Sequence, residues 1–287
     1  MIKNLFNISD LTRKDIESII LNKSSLNLKG KNIGLIFEKY STRTRMSFHV
    51  GINHLEGNSI DIRFNELNIS RDETFEDTFK TLNLYLDGLI YRTDNHNKLI
   101  NASKYFHKPI INALSDRSHP CQILSDLYTL FEVFNTFDIH VLWIGDMNNV
   151  CFSLAEAANL IEEFKVTICS PKEISENLKW NTKNNINIVS KISDIDLSSI
   201  QCVMTDVFIS MNDQENDSKV NLLKNYIVND DLMAKTDKDS IFMHCLPAKV
   251  GFEVSKSVFE SSKSIVWRQA YNRMIAQKKL LQFINWD

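Results

Sequence analysis

Glu38-Lys39-Tyr40-Ser41-Thr42-Arg43-Thr44-Arg45 is the stretch on which the fold turns. A strand-like apolar run at 32–37 leads into it, and Phe48, Ile52 and Leu55, at i, i+4 and i+7, lead out of it as one helix face. Strand, turn and helix start are thus joined across two arginines and three hydroxyls. The first N–H groups of a helix lack intrahelical partners and its dipole favours an anion there. Ser and Thr add neutral donors, and Arg adds a planar fork matched to phosphate oxygens. The stretch reads as a phosphate cradle, with an ordinary Ser N-cap followed by two solvated arginines as the plainer alternative.

The chain has 287 residues, 43% hydrophobic and 24% charged, enough to bury a large core in two domains. A formal net charge of -3 excludes nucleic acid as the main partner on electrostatic grounds, so any anion chemistry comes from local placement. Cys121, Cys151, Cys169, Cys202 and Cys245 are odd in number, widely spaced and form no CxxC pair. That argues against a zinc site or a disulfide framework and for a reduced, cytoplasmic chain. The first 25 residues carry charges throughout and lack the apolar core of a signal peptide, and no later run has the length of a membrane span. Thr12 is placed to cap a short surface helix with Ile16, Ile19 and Ile20 inward.

Beyond the cradle, 58–63 reads as a strand, 74–86 as a helix, and 87–91 as a strand ending in Arg92. Residues 96–107 read as a helix, 109–114 as a strand and 121–134 as a long, broadly apolar interdomain helix. A second alternating block follows: strands at 138–144, 165–169, 200–206 and 240–245, a helix at 151–162 and a last short strand at 264–267. The expected fold is α/β, two domains, each a parallel β-sheet flanked by helices, with interdomain helices. Residues 1–133 form the first domain, joined by a C-terminal helix at 268–287, and residues 134–267 the second. Ligands in such sheets sit outside the carboxyl ends of the strands. Residues 41–45, Arg92 and the segment 115–122 all fall at those ends.

Arg92, His119, Gln122 and Thr44 are donors suited to a phosphoryl group beside a carbonyl oxygen. Taken alone, His119 is a loop histidine bonded to nearby backbone, and Pro120 an ordinary first-turn helix proline. In the second half, Gly145-Asp146 follows a strand, but GxGxxG spacing is absent and the chain has only 7 glycines, which discounts a dinucleotide cofactor. Asn149, Asp206 and Ser210 instead offer an acceptor-rich pocket for the ammonium and carboxylate of an amino acid. Cys245 alone reads as a small buried residue.

Together these motifs resemble the aspartate/ornithine carbamoyltransferase family. The likeness runs in order along nearly the whole chain, from 37–45 through Glu73-x-x-x-Asp77-Thr78, Tyr91-Arg92-Thr93 and 115–122. It continues through 143–149, Asp206-x-x-x-Ser210-Met211, His244-Cys245-Leu246-Pro247 and Asn272-Arg273. Asp-x-x-x-Ser-Met and His-Cys-Leu-Pro are similar to the ornithine branch, since the aspartate branch carries His-Pro-Leu-Pro.

The resemblance implies transfer of a carbamoyl group from carbamoyl phosphate to the δ-amine of L-ornithine, giving citrulline and phosphate, with neither metal nor organic cofactor. Ser41, Thr42, Arg43 and Thr44 are then expected on the phosphate, and Arg92, His119 and Gln122 around the carbamoyl group. Cys245 and Leu246 lie beside the reacting amine, and Arg273 reaches carbamoyl phosphate from the C-terminal helix. Asn149, Asp206, Ser210 and Met211 hold ornithine, with Asp206 and Cys245 steering its amine. A homotrimer with intersubunit sites is implied, to which Asn68 comes from the neighbouring copy. Departures from the family pattern are Asn212 after Ser-Met, Lys249-Val250 for a common His-Arg pair, and Tyr271 for a common Glu.

Overall fold

An apolar run buried on both faces belongs in the middle of a sheet, and residues 33–36 are such a run. In the computed structural model they lie in β1 (Asn32–Phe37). The structure describes residues 2–22, 24–176, 183–209 and 217–286. Two compact units divide the chain: Met1–Tyr128 with Asn272–Asp287, and Thr129–Tyr271.

The first unit begins with α1 (Arg13–Ile20), whose Thr12 forms a reciprocal capping box with Asp15 and whose Ile16, Ile19 and Ile20 are buried. After β1 come α2 (Thr42–His54), β2 (Asn58–Arg63), α3 (Phe75–Tyr85), β3 (Gly88–Arg92), α4 (His96–Ala102) and β4 (Ile110–Leu114). α5 (Pro120–Phe134) follows. All pairings are parallel, in the order β2-β1-β3-β4. The order reverses between β1 and β3, and such a switch point opens a crevice at the carboxyl ends of the two strands. Phe37 lies opposite Arg92, so residues 38–45 leave the sheet beside the end of β3.

The second unit repeats the plan with β5 (His140–Ile144), α6 (Asn149–Leu160), β6 (Lys165–Cys169), α7 (Lys172–Ser175), β7 (Ile186–Val189) and β8 (Cys202–Thr205). α8 (Asp217–Leu223), α9 (Asp230–Met233), β9 (Ile241–His244), α10 (Lys256–Phe259) and α11 (Val266–Phe283) complete the chain. The parallel order is β7-β6-β5-β8-β9, and its switch point lies between β5 and β8.

Two sequence expectations change, and one strand is additional to them. The helix expected at 96–107 ends at Ala102, because the chain must extend again before Pro109, which biases its predecessor away from helix. No strand runs through 264–267: Ser264 makes one bridge to Phe242, and α11 starts at Val266. Buried Val266, Gln269, Asn272, Arg273, Ala276, Gln277 and Leu280 follow the helical period that decides this. β7 is an edge strand that the Asn-rich composition around 184–187 concealed.

Candidate active site

The first cluster is built at the switch point of the first unit. Ser41 occupies the N-cap of α2 in extended conformation, yet its side chain makes no capping hydrogen bond. The capping part of the plainer alternative therefore fails, so the first turn lacks the usual side-chain acceptor, while Arg45 fits that alternative: it is partly exposed and pairs with Asp61 at 2.9 Å. Arg92 ends β3 with its side chain 4% exposed and its Nε without a hydrogen-bond partner. Burial, followed by the positive charges of Arg273 and Arg43, pulls its pKa down to about 10. The residues beside it are pinned by one carboxylate: Tyr91 Oη and Thr93 Oγ1 donate to Glu38 at 2.6 and 3.0 Å, and Lys98 Nζ pairs with Glu38 at 2.7 Å.

His119 precedes α5 at the end of the turn after β4. That turn is fixed by Asn112, a polar residue inside a strand, which donates from Nδ2 to Phe6 O at 2.7 Å and Ser118 O at 3.2 Å. Burial, then Arg273, Arg92 and Arg43, holds the His119 imidazole well below the ordinary histidine value, so it is neutral at neutral pH. One turn further, Gln122 Nε2 donates to Asp126 Oδ1 at 2.9 Å while its Oε1 accepts from Arg273 Nη1. Arg273 Nη2 donates to Thr44 Oγ1 at 2.7 Å. Three guanidinium groups and a neutral imidazole therefore converge, and the charges acting on His119 are all positive. That charge calls for a bound anion.

The second cluster lies at the switch point of the second unit. Gly145, at φ +115°, turns the chain out of β5 in a conformation open to glycine. Asn148 then caps α6, its Oδ1 accepting from Val150 N at 3.0 Å and Cys151 N at 3.1 Å. Its Nδ2 donates to Asp206 Oδ2 at 2.7 Å. Because Thr205 lies opposite His244 across β8 and β9, the next residues on each strand are neighbours, and Cys245 Sγ donates to Asp206 Oδ1 at 2.9 Å. Leu246, at φ +57°, holds this turn open; its N–H donates to His244 Nδ1 at 2.9 Å. The other nitrogen of His244 must then carry the proton, and it donates to Glu253 Oε1 at 3.2 Å inside the core. Ligand atoms of Asp206, His244 and Cys245 come within 4.8 Å of one another, the arrangement a metal would need. Each is already engaged by a protein hydrogen bond.

Two family descriptions match this chain in succession: the carbamoyl-P binding domain of aspartate/ornithine carbamoyltransferase over residues 1–132, and its Asp/Orn binding domain over residues 137–284. The chain belongs to the aspartate/ornithine carbamoyltransferase family. Among its relatives, the ornithine carbamoyltransferase of Brucella abortus is 40% identical over 257 residues, covering 88% of this chain and 82% of the relative. That of Methanosphaera stadtmanae is 37% identical over 307 residues, covering 98% and 99%. The solved ornithine carbamoyltransferase from Pyrococcus furiosus superposes with a TM-score of 0.87 at 32% identity, covering 98% of this chain and 96% of that one. The Thermus thermophilus structure gives 0.86 at 29% identity, covering 99% and 100%.

Against this family frame, Arg43, Thr44, Arg92, His119, Gln122 and Arg273 gather in the first unit. Ser41 and Thr42 sit at the N-terminus of α2, Ser41 half-buried and Thr42 exposed. Asn68 lies apart, exposed on a short turn at 68–71. In the second unit Asp206 and Cys245 are in contact, Leu246 follows them, and Asn149 is the half-buried first residue of α6. Ser210, Met211 and Asn212 lie outside the described residues. Asn148 and Glu38 were not singled out from sequence, although both stand inside quoted motifs. The cue for Asn148 is its place in the polar pair Asn148-Asn149 directly before an apolar helical run, where an N-cap is expected.

Proposed function

We propose that the protein transfers the carbamoyl group of carbamoyl phosphate to the δ-amine of L-ornithine, giving L-citrulline and phosphate, a reaction of arginine metabolism. The observation that carries this is the convergence of half-buried Arg43 with buried Arg92 and Arg273, the Nε of Arg92 lacking a hydrogen-bond partner, beside the start of α2, where Ser41 makes no side-chain cap. A phosphate dianion is the complement of these three cations, and leaves as a dianion already bound. On this reading residues 1–133 with 268–287 form the carbamoyl-phosphate domain and residues 134–267 the ornithine domain.

Ser41, Thr42, Arg43 and Thr44 take the phosphate oxygens. Arg92 and neutral His119 donate to the carbonyl oxygen, where negative charge develops as the tetrahedral intermediate forms. Gln122 and Arg273 orient the carbamoyl group. Asn149, Ser210 and Met211 hold the amino-acid end of ornithine, while Asp206 and Cys245, with Leu246, receive the amine. A free amine with pKa about 10.4 costs roughly 4 to 5 kcal/mol to deprotonate at neutral pH, so the rate rises with pH. Positioning and oxyanion stabilisation supply most of the acceleration.

The family resemblance implies a homotrimer with shared sites, to which exposed Asn68 would come from the neighbouring copy, and the five free cysteines support work in the reducing cytoplasm. Light scattering on the purified protein tests the trimer: a mass of one chain counts against it. No helix among the described residues is long and apolar enough to cross a membrane.

Citrulline and phosphate appearing in equal amounts from carbamoyl phosphate and L-ornithine test the reaction. Carbamoyl phosphate bound without citrulline would instead identify a binding-only relative. Arg43→Ala raises the KM for carbamoyl phosphate by about a hundredfold while leaving the fold intact, because a charge-assisted phosphate contact is lost. An unchanged KM removes Arg43 from the site.

A further inference from the structure

We propose that Asp126 is a positioning residue of the carbamoyl-phosphate site, acting through the side-chain amide of Gln122. The proposal rests on the placement of Gln122 and Arg273 in that site. Asp126 follows Gln122 by one turn of α5, where i and i+4 side chains meet. Its Oδ1 accepts from Gln122 Nε2 at 2.9 Å, while Gln122 Oε1 accepts from Arg273 Nη1. Arg273 continues the chain to Thr44 Oγ1 at 2.7 Å. Relative exposures along it are 0% for Asp126, 1% for Gln122, 3% for Arg273 and 2% for Thr44. Water is therefore largely excluded from competing for these groups.

An amide has two ends of similar shape and opposite chemistry, and its terminal torsion is broad and nearly two-fold. Turned over, Gln122 would press its NH2 against the Arg273 guanidinium and its carbonyl oxygen against the Asp126 carboxylate. Each end thus has one neighbour that accepts only the observed orientation. Locked this way, the amide retains one further lone pair on Oε1 and one further N–H on Nε2. A carbamoyl group carries one NH2 and one carbonyl, so it meets complementary groups only if Gln122 is held the right way round. Removing Asp126 frees the torsion and loosens Arg273 through its shared hydrogen bond, without removing any group that touches substrate.

The test is a cycle of four proteins: the wild type, Asp126→Ala, Gln122→Ala and the double variant, assayed for the KM of carbamoyl phosphate and for thermal stability. Loss of one orienting hydrogen bond predicts about a tenfold rise in KM for Asp126→Ala. The double variant matches Gln122→Ala within about twofold, since Asp126 has nothing left to orient. Asp126→Asn, which keeps an acceptor oxygen, recovers most of the affinity. A KM unchanged in Asp126→Ala while Gln122→Ala is impaired overturns the proposal and leaves the site standing. An equal further loss from Asp126→Ala in the Gln122→Ala background also overturns it, because Asp126 then acts through packing. Normal KM in Gln122→Ala overturns the site assignment itself, and the proposal with it. If Asp126→Ala does not fold, Asp126→Leu fills the space without an acceptor and takes its place in the same cycle.

Discussion

Arg92 has a buried guanidinium whose Nε has no partner, pressed by two other cations. Such a charge costs the free protein stability and is repaid when an anion binds. Arg92→Met is therefore predicted to raise the Tm of the unliganded protein by about 2–4 °C, the shift that about 1 kcal/mol gives in a chain of this size. The same change should abolish the Tm increase that carbamoyl phosphate gives the wild type. A lowered Tm for Arg92→Met would show that the residue is structural.

His119 makes a second prediction at this scale. Burial and three arginines depress its pKa in the fold, so the unfolded chain binds a proton more readily than the folded one. The stability that follows is present above about pH 6.5, the unfolded value, and is lost as pH falls through the folded value. His96 and His140 are depressed too, chiefly by burial, and add to the same slope. Melting curves across this window should fall towards acid pH, more steeply for the wild type than for His119→Gln. Identical slopes would remove His119 from the account.

At the scale of elements, the sites grow from strand ends. Neighbouring strands in register put the residues after them side by side, which is why Asp206 and Cys245, distant in sequence, share a hydrogen bond. Asn148 has two tasks, capping α6 and holding Asp206, and these can be separated. Serine caps as well as asparagine but is too short to span to Asp206 as well. Asn148→Ser should keep Tm within a few degrees while raising the KM for ornithine about tenfold, as loss of one hydrogen bond to a carboxylate predicts. Unchanged KM would mean that Asp206 needs no such support.

The alternation of strands and helices was legible because buried parallel strands are short unbroken apolar runs, as in β1, β3 and β5. What escaped has physical causes. β7 lies at an edge and needs no such run, and Val266 begins a helix whose inner face carries Gln269, Asn272 and Arg273. The side-chain partners Glu38 and Glu253 act through hydrogen bonds that no periodicity encodes.

At the scale of the molecule, each unit carries a sheet with a reversal in strand order, and each reversal has its own polar cluster. The first cluster is cationic and suited to a phosphorylated carbonyl; the second offers a carboxylate and a thiol suited to an amine. Two successive domain matches to one family fit that division of chemistry. The acceptor is the most exacting part of the account, since the same carbamoyl-phosphate cluster could serve several amines.

The most direct measurement is product formation from carbamoyl phosphate with L-ornithine, N-acetyl-L-ornithine and L-aspartate as separate acceptors, at pH 7 and pH 8.5. The account predicts turnover with L-ornithine alone, faster at the higher pH because more of the amine is neutral. Turnover with L-aspartate or with the acetylated amine, or none with L-ornithine from folded protein, would contradict it.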